Sequence, residues 1–368
     1  MEEKHYWKER DYEAMMKGLK KWRLLSLLAV LTVFLAGCGQ QELSTLLPAG
    51  QVGKDQFKLL MLASGIMLLV IIVVVVIYVL ALIRFGRKKR GEDFIPEQTE
   101  GSQKLELIWT IIPIILITIL AVPTVYYTYK LGDVKAMEEV DDDGNAKHLV
   151  VDVTAKLYWW EFGYPDLGIV TAQELVVPTD EKVYFNLKAA DVKHSFWIPA
   201  VGGKLDTNVE NLNKFYLTFD QESKDLKDGV FYGKCAELCG PSHSLMDFKV
   251  KTLPRDDFNT WVKNMKATAD KTEVANADGE EVFKSSCIGC HANSGVGDSG
   301  AQGPNLAAFG DRNRVAGFIE HDKEHLKEWI KNPQKLKPGN KMPSFEDQLS
   351  DQEIDDLAEY LLGLSVEQ

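Results

Sequence analysis

The sequence has no cysteine to spare, no surplus of basic charge and no internal repeat, and each absence narrows what the chain does. Its five cysteines in 368 residues, Cys38, Cys235, Cys239, Cys287 and Cys290, each sit in a local pattern with a chemical use. None reads as a spare structural thiol. The net charge is −12, and residues 105–368 carry 27 basic against 43 acidic residues, a balance of −16. That disfavours nucleic acid as a partner; such a surface steers a basic partner at low salt, or simply stays solvated. The absence of repeats and of long low-complexity tracts leaves ordinary domains, two or three at this length.

Two apolar runs interrupt the ordinary composition. Leu59 to Ile83 and Leu105 to Tyr127 are each long enough to cross a hydrocarbon core of about 30 Å. Arg84, Arg87, Lys88, Lys89, Arg90 and Lys104 lie between them, which predicts a cytoplasmic loop and an exported remainder. An earlier run, Leu24 to Leu35, is too short to span and follows Lys17, Lys20, Lys21 and Arg23. It reads as a signal peptide over 1–37, and Leu35-Ala36-Gly37-Cys38 resembles a bacterial lipoprotein box, which implies lipidation of Cys38. An uncleaved third helix is the alternative.

The expected organisation is a membrane hairpin over 38–133, an all-β domain over 134–266, a linker over 267–277 and a helical domain over 278–368. Segments rich in β-branched and aromatic residues, 148–155, 174–177, 182–188, 214–219, 230–234 and 246–253, alternate with turn signals and predict a sandwich or barrel. His194 is expected to end a strand. Phe258, Trp261, Val262 and Met265 recur at helical spacing over 256–266. In the last domain a helix leads into Cys287, another contains Leu326 to Ile330, and a third over 351–362 opens on a Ser350/Glu353 capping box.

Cys235, Cys239, His243 and Met246 fall at intervals of four, four and three, with His194 upstream. A disulfide or a zinc site are the alternatives. A disulfide has no need of the imidazole and thioether, and soft sulfur mixed with imidazole points to copper. Cys287-Ile288-Gly289-Cys290-His291 has the spacing of covalent c-type haem attachment, with His291 on iron. Met342 is the only methionine that follows, so it is the expected second axial ligand. His321 and His325 lie in a charged segment and are expected to be solvated.

The pattern Cys-x-Glu-x-Cys-Gly-x-x-His-Ser-x-Met, with His-Ser-Phe/Trp upstream, resembles the CuA domain of cytochrome c oxidase subunit II. The resemblance implies Cys235 and Cys239 as thiolates bridging two coppers, His194 and His243 capping them, Met246 as a weak axial ligand, and Glu237 giving its backbone carbonyl. It also implies that the Glu237 carboxylate reaches a magnesium ion shared with the catalytic subunit. Glu106 in Glu-x-x-Trp-Thr-x-x-Pro matches a position proposed to open a proton path; a helix-start carboxylate suited to the helix dipole is the equal alternative. Tyr158-Trp159-Trp160 occupies the aromatic cluster through which electrons come in, with Tyr158 where the family usually has tryptophan. Aromatic core packing is at least as good a reading of Trp159 and Trp160. Gly303-Pro304-Asn305-Leu306 resembles the small cytochromes c, whose proline carbonyl accepts a hydrogen bond from the haem histidine.

A haem domain fused to a CuA domain resembles subunit II of the caa3-type oxidases. The implied fold is a two-helix transmembrane hairpin, a cupredoxin-like all-β sandwich or barrel, and an all-α class I cytochrome c domain. The implied function is electron input from a cytochrome c-type donor through haem c and CuA to a catalytic subunit I, which reduces dioxygen and translocates protons, in a bacterial cell membrane with both redox domains outside. The chain carries no ligands for a dioxygen site, so the catalytic haem–copper centre is expected in that partner. A CuA-containing nitric oxide reductase subunit, or a stand-alone membrane-anchored carrier, are the competing readings.

Overall fold

The computed structural model describes residues 39–85, 95, 98–270, 274–297, 300 and 302–367, with Ser26 and Val30. Apart from those two residues the expected leader, Cys38 and the basic cluster Arg87 to Arg90 lie outside the described residues.

The apolar runs form two long helices, α1 (Gln51–Phe85) and α2 (Gln103–Gly132). Their mean hydropathies reach 3.6 and 2.5, and the apolar windows are bare of protein cover. That is what a helix bathed in lipid requires. Both helices outrun their apolar segments. The extra N-terminal turn of α1 packs on the β domain, where Val52, Gly53 and Asp55 are buried. An ideal Cβ on Gly53 would lie 2.7 Å from the Val201 carbonyl oxygen, so glycine permits the close approach. The Asp55 carboxylate meets Lys130 of α2 at 2.5 Å.

The β domain is a sandwich of two five-stranded sheets, ordered β3-β2-β1-β5-β8 and β4-β10-β9-β6-β7. The strands are β1 (Leu149–Lys156), β2 (Trp159–Tyr164), β3 (Ile169–Ala172), β4 (Glu174–Pro178), β5 (Lys182–Ala189), β6 (His194–Trp197), β7 (Leu205–Thr207), β8 (Asn213–Thr218), β9 (Phe231–Cys235) and β10 (Asp247–Leu253). β1 runs parallel to β5 and β4 to β10, and the remaining pairs are antiparallel. Inward residues of both sheets meet in an aromatic core, with Phe196 stacked on Phe248 at 4.8 Å and Trp160 against Phe248 at 5.3 Å. Aromatic pairs of this kind add to the stabilisation from area burial. Helix α3 (Arg255–Ala267) closes the sandwich with Phe258, Trp261 and Met265.

A second core belongs to the C-terminal helical domain, around Phe283, Leu326, Ile330, Leu357 and Tyr360. Its helices are α4 (Ala277–Ser286), α5 (Lys323–Lys331), α6 (Pro333–Leu336) and α7 (Asp351–Leu362), with a two-residue hairpin pair β11 (Arg314–Val315) and β12 (Ile319–Glu320). The Ser350/Glu353 capping box forms at the start of α7. One sequence expectation is corrected: His194 opens β6 instead of ending a strand. The segment 190–193 before it is a turn, so the imidazole is delivered at a strand start, with Phe196 in register with Cys235.

Candidate copper and haem sites

The thiol cluster forms where β9 ends and β10 begins. β9 delivers Cys235, the loop 236–246 carries the other donors, and β6 brings His194 alongside. The Cys235 and Cys239 sulfurs lie 3.9 Å apart, with His194 Nδ1 3.9 Å from Cys235 and His243 Nδ1 3.6 Å from Cys239. Met246 Sδ is 3.9 Å from Cys239, and the Glu237 carbonyl oxygen is 3.3 Å from Cys235. Sulfurs 3.9 Å apart are two thiols and no disulfide, since an S–S bond is about 2.05 Å. A metal bound at about 2.3 Å reaches both at once. Among the described residues His194, Cys235 and Cys239 lie within 4.8 Å of one another, with His243 and Met246 on the Cys239 side, and two thiols, two imidazoles and a thioether form a soft donor set that fits copper.

Burial and second-layer contacts shape this cluster. His194 and Met246 are fully buried, whereas Leu238 at the loop tip is 78% exposed. Asp191, unremarked in the sequence reading, accepts from His194 Nε2 at 2.8 Å and from the Leu157 amide at 2.7 Å. Such a carboxylate fixes the ring with Nδ1 toward the thiols; its signal was an acid three residues before a candidate ligand. Burial works against protonating His194, but Asp191 and Cys235 outweigh it and raise its affinity for a proton. The Cys239 thiol hydrogen-bonds Cys235 and, with His194, holds it far below the usual thiol range, while Cys239 itself is pushed up. Trp160 lies edge-on to His194, ring centroids 6.2 Å apart, and donates Nε1–H to the Met246 carbonyl at 3.2 Å. That serves core packing and loop support together. Trp159 is half-buried under the Lys156 ammonium, 4.6 Å from its ring.

The C-x-x-C-H segment follows α4 and lines a cleft open to solvent. Cys287, Cys290, His291 and Met342 all face it, among apolar residues such as Leu306, Phe309, Ile330 and Phe345. His291 Nδ1 is 2.8 Å from the Pro304 carbonyl oxygen, which leaves Nε2 for iron. A side chain at Gly303 would strike that ring at 2.5 Å. An apolar slot with two thiols and an oriented imidazole on its wall fits a covalently held haem. Burial pushes the Cys287 thiol up to about 11 and lowers His291. His321 differs from its sequence expectation: it is half-buried, 5.1 Å from the Phe309 ring, with Nε2 on the Phe309 carbonyl at 3.0 Å. His325 pairs with Asp322 at 2.6 Å, and neither histidine lines the cleft.

The cleft's remaining wall comes from the β domain: Leu157, Tyr158, Trp159 and Gln173. Tyr158 is only 4% exposed, and its hydroxyl abuts Gly240 of the thiol loop and Gly339 of the segment before Met342. Glu106 stands apart from both sites, exposed in the first turn of α2.

Three family descriptions match successive parts of the chain: the transmembrane domain of cytochrome c oxidase subunit II over residues 55–126, its periplasmic domain over 161–253, and cytochrome c over 276–365. The chain is 57% identical to cytochrome c oxidase subunit 2 of Bacillus sp. strain PS3, over 96% of this chain and all of that one. It is 52% identical to the Bacillus subtilis protein of the same name, over 95% and 99%. Among solved structures, the periplasmic domain of subunit II of cytochrome oxidase from Bradyrhizobium japonicum matches at 30% identity, covering 31% of this chain and 91% of that one with a TM-score of 0.28.

Proposed function

The chain belongs to the cytochrome c oxidase subunit II family, a membrane-anchored component that takes electrons into a haem–copper oxidase, and we propose that its own residues carry them in two stages. Cys235 and Cys239 would hold a copper pair between them, with His194, His243, Met246 and the Glu237 carbonyl completing its donors. Cys287 and Cys290 would anchor haem c, with His291 and Met342 as the iron ligands. Bound there, the two groups would supply one-electron chemistry.

The chain's side chains do the rest. Asp191 fixes the His194 imidazole and Pro304 that of His291, so that neither ring swings when the charge changes. Trp160 pins the Met246 carbonyl and the sandwich core excludes water from His194. Met342 as the axial partner suits a high haem potential, as a donor to copper requires. The single observation that carries this reading is the shared wall: Tyr158, in contact with the thiol loop, also lines the haem cleft. Electrons come in at the haem, from a cytochrome c-type donor, and leave the copper loop toward a catalytic subunit that reduces dioxygen. In this reading the Glu237 carboxylate shares a magnesium ion with that subunit, and Glu106 opens its proton path for translocation. Both redox domains lie on the outer side of the membrane, and Cys38 carries lipid after removal of 1–37. Full-length matches to proteins named cytochrome c oxidase subunit 2 favour this over a nitric oxide reductase subunit or a free carrier.

Electron paramagnetic resonance of the purified complex tests the copper assignment. The expected spectrum is that of an electron shared equally by two copper nuclei, lost in Cys239→Ser. A single-nucleus pattern in the unmutated protein overturns it. In the optical spectrum, Met342→His keeps the haem attached but loses the sulfur-to-iron band and lowers the potential.

A further inference from the structure

Among the described residues, one hydrogen bond joins the thiol loop 236–246 to the helical domain: Ser242 Oγ donates to the Pro338 carbonyl at 2.7 Å. Ser242 is fully buried and adjoins His243. Pro338 lies four residues before Met342, and that segment is braced from within. The Met342 amide donates to Asn340 Oδ1 at 2.8 Å, and Asn340 Nδ2 donates to the Lys337 carbonyl at 2.6 Å. Gly339, at φ +80, occupies the narrowest point. A Cβ there would come within 3.2 Å of Pro241 and 3.4 Å of the Tyr158 hydroxyl, so its absence lets the two loops touch.

We propose that this Ser242–Pro338 hydrogen bond is the crossing through which the electron passes from the haem segment to the copper loop, with Ser242 as the positioning residue. The inference rests on the function proposed above and assigns its route. Electron tunnelling decays far less along covalent and hydrogen bonds than across van der Waals gaps. The path from Met342 through its own backbone to Pro338, over 2.7 Å to Ser242 and on to His243 contains no such gap. One electron moves: haem iron(II) is oxidised to iron(III), the copper pair is reduced by one, and no proton or bond changes place. The crossing is local, with Ser242 buried on its copper side, so the route needs no release of the haem domain.

The test uses the full purified complex. Ser242→Ala should slow haem-to-copper transfer after flash reduction several-fold, with the copper resonance and both potentials unchanged, and Ser242→Thr should restore it. Independently of turnover, amide hydrogen exchange over 338–342 should rise about fivefold in the alanine variant, the weight of one ordinary hydrogen bond, and not in the threonine variant. Unchanged transfer in Ser242→Ala, transfer slowed only by Tyr158→Leu, or loss of copper from Ser242→Ala each overturn the proposal. If the unmutated complex lacks the shared-electron copper signal, the function reading fails first; with that signal present, failure belongs to the route alone.

Discussion

At the scale of single residues, the candidate metal donors that gather in the thiol loop were readable from spacing, and the groups that aim them were not. Cys235, Cys239, His243 and Met246 lie within twelve residues of chain, so a short loop almost obliges them to meet. Asp191 escaped notice because a carboxylate in a turn has many ordinary uses, and only the fold turns it toward Nε2 of a buried histidine. Removing it should leave His194 free to rotate. Asp191→Ala is expected to lower copper affinity about 10–100-fold, as loss of such supporting groups does elsewhere. Copper retention against a chelator, read by metal analysis, checks this; full retention would show that the ring is held by packing alone. His321 illustrates the opposite error. Its charged neighbours suggested solvent, yet the Phe309 carbonyl and ring draw it inward.

At the scale of elements, β10 shows how a strand's second face is decided from outside. Phe248 and Val250 point into the sandwich, as alternation leads one to expect. Asp247 and Lys249 alternate with them and by sequence read as a wet face, but the helical domain covers them. Lys249 is 2% exposed, its ammonium 4.1 Å from the Tyr232 ring and 3.2 Å from the Gly317 carbonyl oxygen. Burial pushes this lysine from 10.5 down to about 8. Between pH 8 and 10.5 the unfolded chain therefore holds a proton that the folded chain has released. Stability from this group rises with pH across that window, and the penalty is complete below it. Lys249→Met should flatten that slope relative to the parent and keep or raise the denaturation midpoint at pH 7. Denaturant titrations of both proteins at pH 7, 8.5 and 10 decide it, and parallel slopes would discard the idea.

At the scale of the molecule, two cores are joined through apolar contacts, with Ala307 and Val366 of the helical domain packed into the sandwich core, and through polar ones. The turn between β11 and β12 is the centre of the joint. Lys337 Nζ, from the same domain, braces the turn at the Ala316 carbonyl at 2.9 Å, while across the joint Lys249 caps the Gly317 carbonyl and Glu174 accepts from the Asn313 amide at 3.0 Å. Gly317 has φ +89, and a Cβ there would come within 2.4 Å of the Asp247 carbonyl oxygen and 2.6 Å of Gln173. Gly317→Val should thus part the haem domain from the sandwich while each keeps its own core. Amide exchange in residues 170–176 and 245–250 should rise, and haem-to-copper transfer should slow without loss of either spectrum. Unaltered exchange would mean that the joint does not depend on this turn.

The sequence by itself determined the two apolar helices, the C-x-x-C-H segment, the loop that gathers the thiol, imidazole and thioether donors, and the succession of β and α domains. These are local facts: an apolar run, donors a few residues apart and a capping box are each complete within one stretch of chain. Tertiary structure alone decided that Asp191 holds His194, that the charged face of β10 is buried, and that Tyr158 and Ser242 lie against the segment leading to Met342. Those contacts join residues 68 to 181 positions apart or lie across a turn whose direction no spacing encodes. They exist because two separately packed cores close on each other and exclude water from the groups between them.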